Sequence, residues 1–252
     1  MNNAVPPFYL IAAFAMPICH KTPAMTDPVA AAEEIYSSHL RKAADDPYHT
    51  IFPKFVDRCN AIEEAAVLEM GARQVSGNSR RDWFSTKNGY VGMDIHEGPG
   101  AEIVGDAHQL SSIFPANHFD AVFSISVFEH LAFPWKVVME MNTVLKPGGL
   151  CYVSTHPVWP PHELPWDFWR FPLAGLKLLF SEAMGFRLLD ATEGLPGRVH
   201  SMVDDAPTRG LPFFELNLGV ALMAEKIADY DREKIRWDLP LDTVLDTLYP
   251  KP

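Results

Sequence analysis

Apolar residues fall along this chain in two patterns, short unbroken runs and longer stretches with helical spacing. AAVLEM (65–70), YVGMD (90–94), FDAVFSISVF (119–128) and LCYVST (150–155) are runs with little polar alternation, as strands covered on both faces require. A shorter run in AEIVGDAHQL ends at Asp106, and FRLLDA (186–191) and ELNLGVALMAEKI (215–227) add two more. Between them, Ile51, Phe52, Phe55, Val56, Cys59 and Ile62 share one face of a helix predicted from about Thr50 to Glu64. Val137, Val138, Met141, Val144 and Leu145 form the face of a second helix, opened by Pro134 and closed by KPGG (146–149). PLAGLKLLFSEAMGF predicts another, and Asp27 followed by Pro28 starts one that runs to about Lys42. Four β/α alternations in succession predict an α/β fold: a doubly wound, mostly parallel sheet with right-handed crossovers and helices on both faces.

The interruptions divide the chain. Residues 1–26 read as a leader that is disordered or covers an apolar groove, 27–64 as a helical cap, 65–227 as the main domain and 228–252 as a charged tail with a short helix. Within the domain, HPVWPPHELPWDFWRFP (156–172) is neither strand nor helix, and GLPGRVHSMVDDAPTRGLP (194–212) reads as irregular. The leader's FYLIAAFAMPIC is too short to span a bilayer, and no basic residue precedes it.

Charge narrows the function. With 21 Lys plus Arg against 32 Asp plus Glu, a net charge of -11 and no dense basic run, binding to a nucleic-acid backbone is not expected as the main task. The three cysteines, Cys19, Cys59 and Cys151, are odd in number and far apart, which suggests reduced thiols in a cytoplasmic protein rather than a disulfide framework or a metal ribbon.

VLEMG stops at Gly71, and YVGMD stops at Asp94 about 25 residues later. In a doubly wound sheet the ligand lies across the carboxyl ends of the strands, where a glycine admits it and a carboxylate after the second strand accepts ribose hydroxyls. The loop GARQVSGNSRRDW, with Gly71 and Gly77 six apart, lacks a GxGxxG pattern, so alone it fits an ordinary strand-to-helix turn equally well.

FDAVFSISVFEHL (119–131) followed by VLKPGGLCYVSTH (144–156) resembles the class I S-adenosylmethionine-dependent methyltransferases, especially the broad small-molecule group, over residues 65–191. The resemblance implies a Rossmann-like seven-stranded sheet with an antiparallel last strand, S-adenosyl-L-methionine as cofactor, and a small-molecule or sugar acceptor methylated chiefly on oxygen, with no membrane partner. It also implies contacts. Gly71 would admit the methionine part of the cofactor with Glu69 below it, and Asp94 would hold the ribose hydroxyls beside Ile95. Asp106 would accept the adenine amino group, the Ala107 amide would face the ring, and Ser126 and Phe128 would border the sulfonium. One departure is that Ala72 and Arg73 directly follow Gly71, and Arg73 is expected to reach the cofactor carboxylate as a compensating cation. The same departure supports an alternative, a non-catalytic binder on this scaffold.

His130 and His156, each just after a strand, are the candidate general bases; the alternative for His130 is that it caps a turn. Trp159, Trp166 and Trp169 form the expected acceptor wall, with His162, Asp167 and Arg170 orienting the substrate and the loop closing over it. Otherwise the aromatics of DFWRF are simply buried at the start of the next helix. His156, His162 and Asp167 match no standard ligand spacing, and no metal is assigned.

Overall fold

A computed structural model describes residues 42–75, 77, 79–231, 233 and 235. The expected leader, the helix from Asp27 and most of the tail lie outside the described residues. The strands are β1 (Ala66–Met70), β2 (Gly89–Asp94), β3 (Ile103–Val104), β4 (Phe119–Ile125), β5 (Leu145–Thr155), β6 (Phe186–Gly197) and β7 (Leu216–Lys226). They form one seven-stranded sheet in the order β3-β2-β1-β4-β5-β7-β6. From β3 to β5 neighbours run parallel, while β7 is antiparallel to both β5 and β6. The expected mostly parallel sheet with an antiparallel last strand is therefore what forms.

The helices are α1 (Tyr48–Asn60), α2 (Leu110–Ile113), α3 (Pro134–Val144) and α4 (Leu173–Leu179). Because successive strand side chains point to opposite faces, each apolar run feeds two cores. Leu68, Met70, Val122, Cys151, Val153 and Leu222 face α3 and α4, together with Val137, Met141 and Leu176. Val67, Ala121, Phe123, Leu150, Tyr152 and Met223 face α1 through Phe52, Phe55 and Cys59.

Four sequence expectations change. The first crossover has only a 3-10 turn at Arg81–Trp83 among its described residues, so the β/α alternation is not complete there. Its Ser, Gly and Asn content favours turns over helix, and α1, with Phe84, covers the sheet instead: Phe52 lies 5.5 Å from Phe123 and 5.1 Å from Tyr152 between ring centroids. KPGG does not lie between helix and strand but within β5, where Phe119 pairs with Leu145 and the register then shifts. Gly148 takes φ +79° there, a conformation that L side chains rarely adopt. The predicted helix 172–186 shortens to α4 and a 3-10 turn at Glu182–Met184. Finally, β6 runs on to Gly197 through a segment expected to be irregular.

The signature motif has a structural part. Asp120 accepts the Ala66 amide at 2.9 Å and the Lys146 ammonium at 2.8 Å, so one carboxylate joins the start of β1 to the beginning of β5.

Candidate functional site

The carboxyl ends of β1, β2 and β3 carry the residues expected to meet a nucleoside. Gly71 has φ +80°, and a Cβ there would stand 2.2 Å from Val127 Cγ2, so only glycine fits. Its amide donates to the Met93 carbonyl at 2.8 Å, which draws the end of β1 onto β2. Asp94 accepts the amides of Arg73 (3.2 Å) and His96 (3.0 Å), and the Arg73 Nε lies 3.5 Å from its Oδ1. The Arg73 side chain therefore sits on the acid of β2. Glu69 accepts the Tyr90 hydroxyl. Burial raises the Glu69 carboxyl above its ordinary range, against the pull of Tyr90, Arg80 and Arg81.

Asp106 caps the 3-10 turn Ala107–Gln109 by accepting the His108 amide at 2.8 Å. His108 is buried, and its Nε2 accepts the Phe133 amide at 3.2 Å, so the proton sits on Nδ1 and is donated to Asp106 at 2.6 Å. Burial alone would raise Asp106, but the hydrogen bonds from His108, with the charge of Lys136, hold the carboxyl below its usual range. Ala107 begins the turn, and Ile95 is exposed beside Asp94.

At the end of β4, Ser126 has φ +54°, a strained conformation for a residue with a side chain. Its amide donates to the Ser154 carbonyl, and its hydroxyl lies 3.3 Å from His156 Nε2. The His156 Nδ1 donates to the Leu218 carbonyl at 3.2 Å, which turns an Nε2 lone pair toward Ser126.

Residues 77–153 match the family described as "Methyltransferase domain". The match spans 77 of the chain's 252 residues. The YcgJ protein from Bacillus subtilis has a similar structure, with a TM-score of 0.52 at 16% identity over 71% of this chain and 99% of that one. So does the 1,6-didemethyltoxoflavin-N1-methyltransferase of Burkholderia thailandensis, solved with bound 1,6-didemethyltoxoflavin and S-adenosylhomocysteine: TM-score 0.51, 14% identity, 83% of this chain and 94% of that one. At these identities the likeness is one of fold. An uncharacterized methyltransferase of Mycobacterium sp. (strain KMS) is 36% identical over 78 residues, which are 28% of this chain and 31% of the relative's length.

Over the strand ends lies the proline- and tryptophan-rich loop, and several of its side chains turn inward. Phe128 does not present its ring to a ligand: it is fully buried against Phe171 and Phe180. Trp166 is buried as well, and the Trp169 indole donates to the Leu131 carbonyl at 2.8 Å. Asp167 and Arg170 are spent on each other in a two-pronged ion pair (2.5 and 2.7 Å), while Arg170 also donates to the carbonyls of Trp159, Pro160 and Trp169. That pairing holds the Asp167 carboxyl well below the usual range. The loop is thus clamped from within. Trp159 keeps an open face, 41% exposed, and stacks on His156 at 4.5 Å.

Residues that the sequence did not single out stand behind these. His108 fixes Asp106. Glu129, fully buried, accepts the Thr155 hydroxyl at 2.7 Å. Burial raises the Tyr48 hydroxyl and the charge of Glu129 adds to it, while Ser154 acts in the other direction. The adjacent Glu and His of the EHL motif were the available signal, but a strand-end acid looks the same in sequence whether it is buried or solvated.

Proposed function

We propose that the chain is an S-adenosylmethionine-dependent methyltransferase acting on an oxygen of a small molecule or sugar. The observation that carries this reading is the row of Gly71, Asp94 and Asp106 along the carboxyl ends of β1 to β3. The residues fit such a cofactor: a half-buried carboxylate on β2 and a second carboxylate kept ionised by His108, on neighbouring strand ends. When bound, S-adenosylmethionine supplies an electrophilic methyl on a sulfonium. Asp94 holds the ribose hydroxyls, with Ile95 beside it, and Asp106 accepts the adenine amino group through the oxygen that His108 does not use, next to the Ala107 amide. Glu69 lies below the methionine part, and Arg73 swings from Asp94 to its carboxylate. The backbone at Ser126 and Phe128 borders the reacting centre.

His156 is the better-placed base of the two histidines, because its Nε2 faces Ser126 while its other nitrogen is fixed on a carbonyl. It would take the acceptor's hydroxyl proton, and Trp159 would wall the acceptor. Trp166, Trp169, Asp167, Arg170 and His162 shape that wall from behind.

Titration calorimetry with S-adenosylhomocysteine and turnover with labelled cofactor across phenols, sugars and amines test this. Asp94→Ala should weaken S-adenosylhomocysteine binding by at least about 10-fold, in keeping with loss of charge-assisted hydrogen bonds. His156→Ala should lower turnover by roughly 100-fold with binding retained. No binding by the wild-type protein would reject the reading. The Arg73 side chain resting on Asp94 favours one other reading, a scaffold that binds cofactor weakly and transfers nothing; binding without turnover across all acceptors would select it.

A further inference from the structure

Glu129 is the least satisfied acid near the site. Its Oε2 is held by Thr155, but its Oε1 is buried without a hydrogen-bond donor. Two imidazoles face that oxygen, with His156 Nε2 at 3.5 Å and His130 Nε2 at 3.9 Å. Each ring has its Nδ1 against a backbone carbonyl, Leu218 at 3.2 Å and Trp166 at 2.6 Å, and a carbonyl can only accept. In the neutral rings both Nε2 atoms are then lone pairs turned toward a carboxylate, which is repulsive unless something positive lies between. Arg170 acts on Glu129 only through its field, since its guanidinium is engaged by Asp167. His162 completes the picture. Its Nδ1 faces the Pro160 carbonyl at 3.1 Å, and its ring meets that of His130 edge to face, 4.7 Å between centroids. One ligand atom each from Glu129, His130 and His162 lie within 4.8 Å of one another.

We propose that Glu129, His130 and His162 bind a divalent transition metal of the zinc type, which pins the proline- and tryptophan-rich loop to the end of β4. Two imidazoles and a carboxylate without thiolate suit such an ion, with remaining positions filled by water. The carbonyls behind the Nδ1 atoms and the Thr155 hydroxyl on Glu129 are the supporting contacts that metal ligands use to fix their tautomers and orientation. With bonds of about 2.0 Å, tetrahedral ligand atoms stand about 3.3 Å apart, so binding draws the His162 end of the loop inward. His156, on the Ser126 side of Glu129, stays outside the coordination sphere. This assignment does not depend on methyl transfer.

The test uses full-length, tag-free protein dialysed against a chelator and then titrated with Zn²⁺ alone by calorimetry, and with Co²⁺ followed by visible absorption. One equivalent of Zn²⁺ should bind, Co²⁺ should give the bands of a nitrogen and oxygen site, and tryptophan emission should change through Trp159 and Trp166. His162→Ala and Glu129→Gln should each weaken Zn²⁺ binding on the order of 100-fold or more, the upper end of what loss of a supporting contact costs, while His118→Ala, outside the cluster, leaves it unchanged. If Glu129→Gln fails to fold, His162→Ala on the loop decides alone. Absence of stoichiometric binding, or binding of equal strength in His162→Ala, overturns the proposal.

Discussion

Gly71 and Asp106 show how narrowly single positions are set. Gly71→Ala places a Cβ 2.2 Å from Val127 at φ +80°, which should cost about 1–3 kcal/mol and lower the melting temperature as well as cofactor affinity. Asp106 depends on a neighbour. Its carboxyl is held below the ordinary range, so it adds stability that is present above the unfolded value of about 3.9 and is lost as pH falls through the folded value. His108→Leu removes the side-chain donor and keeps the backbone one; its melting temperature should fall below wild type at pH 7, and the gap should narrow by pH 3. A gap that does not change with pH would show that His108 acts only through packing. Asp94 and Asp106 were legible in the sequence because they end apolar runs. His108 was not, since its part rests on the Phe133 amide, which approaches from 25 positions away.

The loop between β5 and α4 was legible as a loop, while the contacts that hold it together were not. Its proline and tryptophan content marks a break, but whether Asp167 and Arg170 face a substrate or each other depends on a turn that composition does not specify. Because the Asp167 side chain is 3% exposed, Arg170→Ala leaves a buried carboxylate without its main partner. The expected cost is about 2–4 kcal/mol, with faster proteolysis at 156–172 and, for the proposed enzyme, a higher acceptor KM. Wild-type proteolysis rates would mean that the tryptophans alone hold the loop. A similar argument explains β6. Gly194, Pro196 and Gly197 read as breakers, yet β6 is the sheet's outer strand, where a proline need not donate to a neighbour. β4, central and mostly apolar, had no competing reading.

The whole domain is two cores separated by one sheet, and its thiols report on both. Cys59 sits on the buried face of α1 and Cys151 on the opposite face of the sheet, both fully buried; burial and the charge of Asp120 push Cys59 up to about 12, and burial likewise raises Cys151. In a Cys19→Ser protein neither thiol should react with a disulfide reagent at pH 8 until denaturant is added, and both should then react. Labelling of one without the other below the unfolding midpoint would show that the two faces open separately. The strand order has a consequence of its own for how the chain comes off the ribosome. Among the described residues β7 is the last strand in sequence but lies between β5 and β6, so β6 emerges without its strand partner and β5 keeps a bare hydrogen-bonding edge until residue 226 has been made. A nascent chain of this protein must wait, exposed, for its final strand, and any product stopped before Leu216 is released with an open edge ready to pair with another copy.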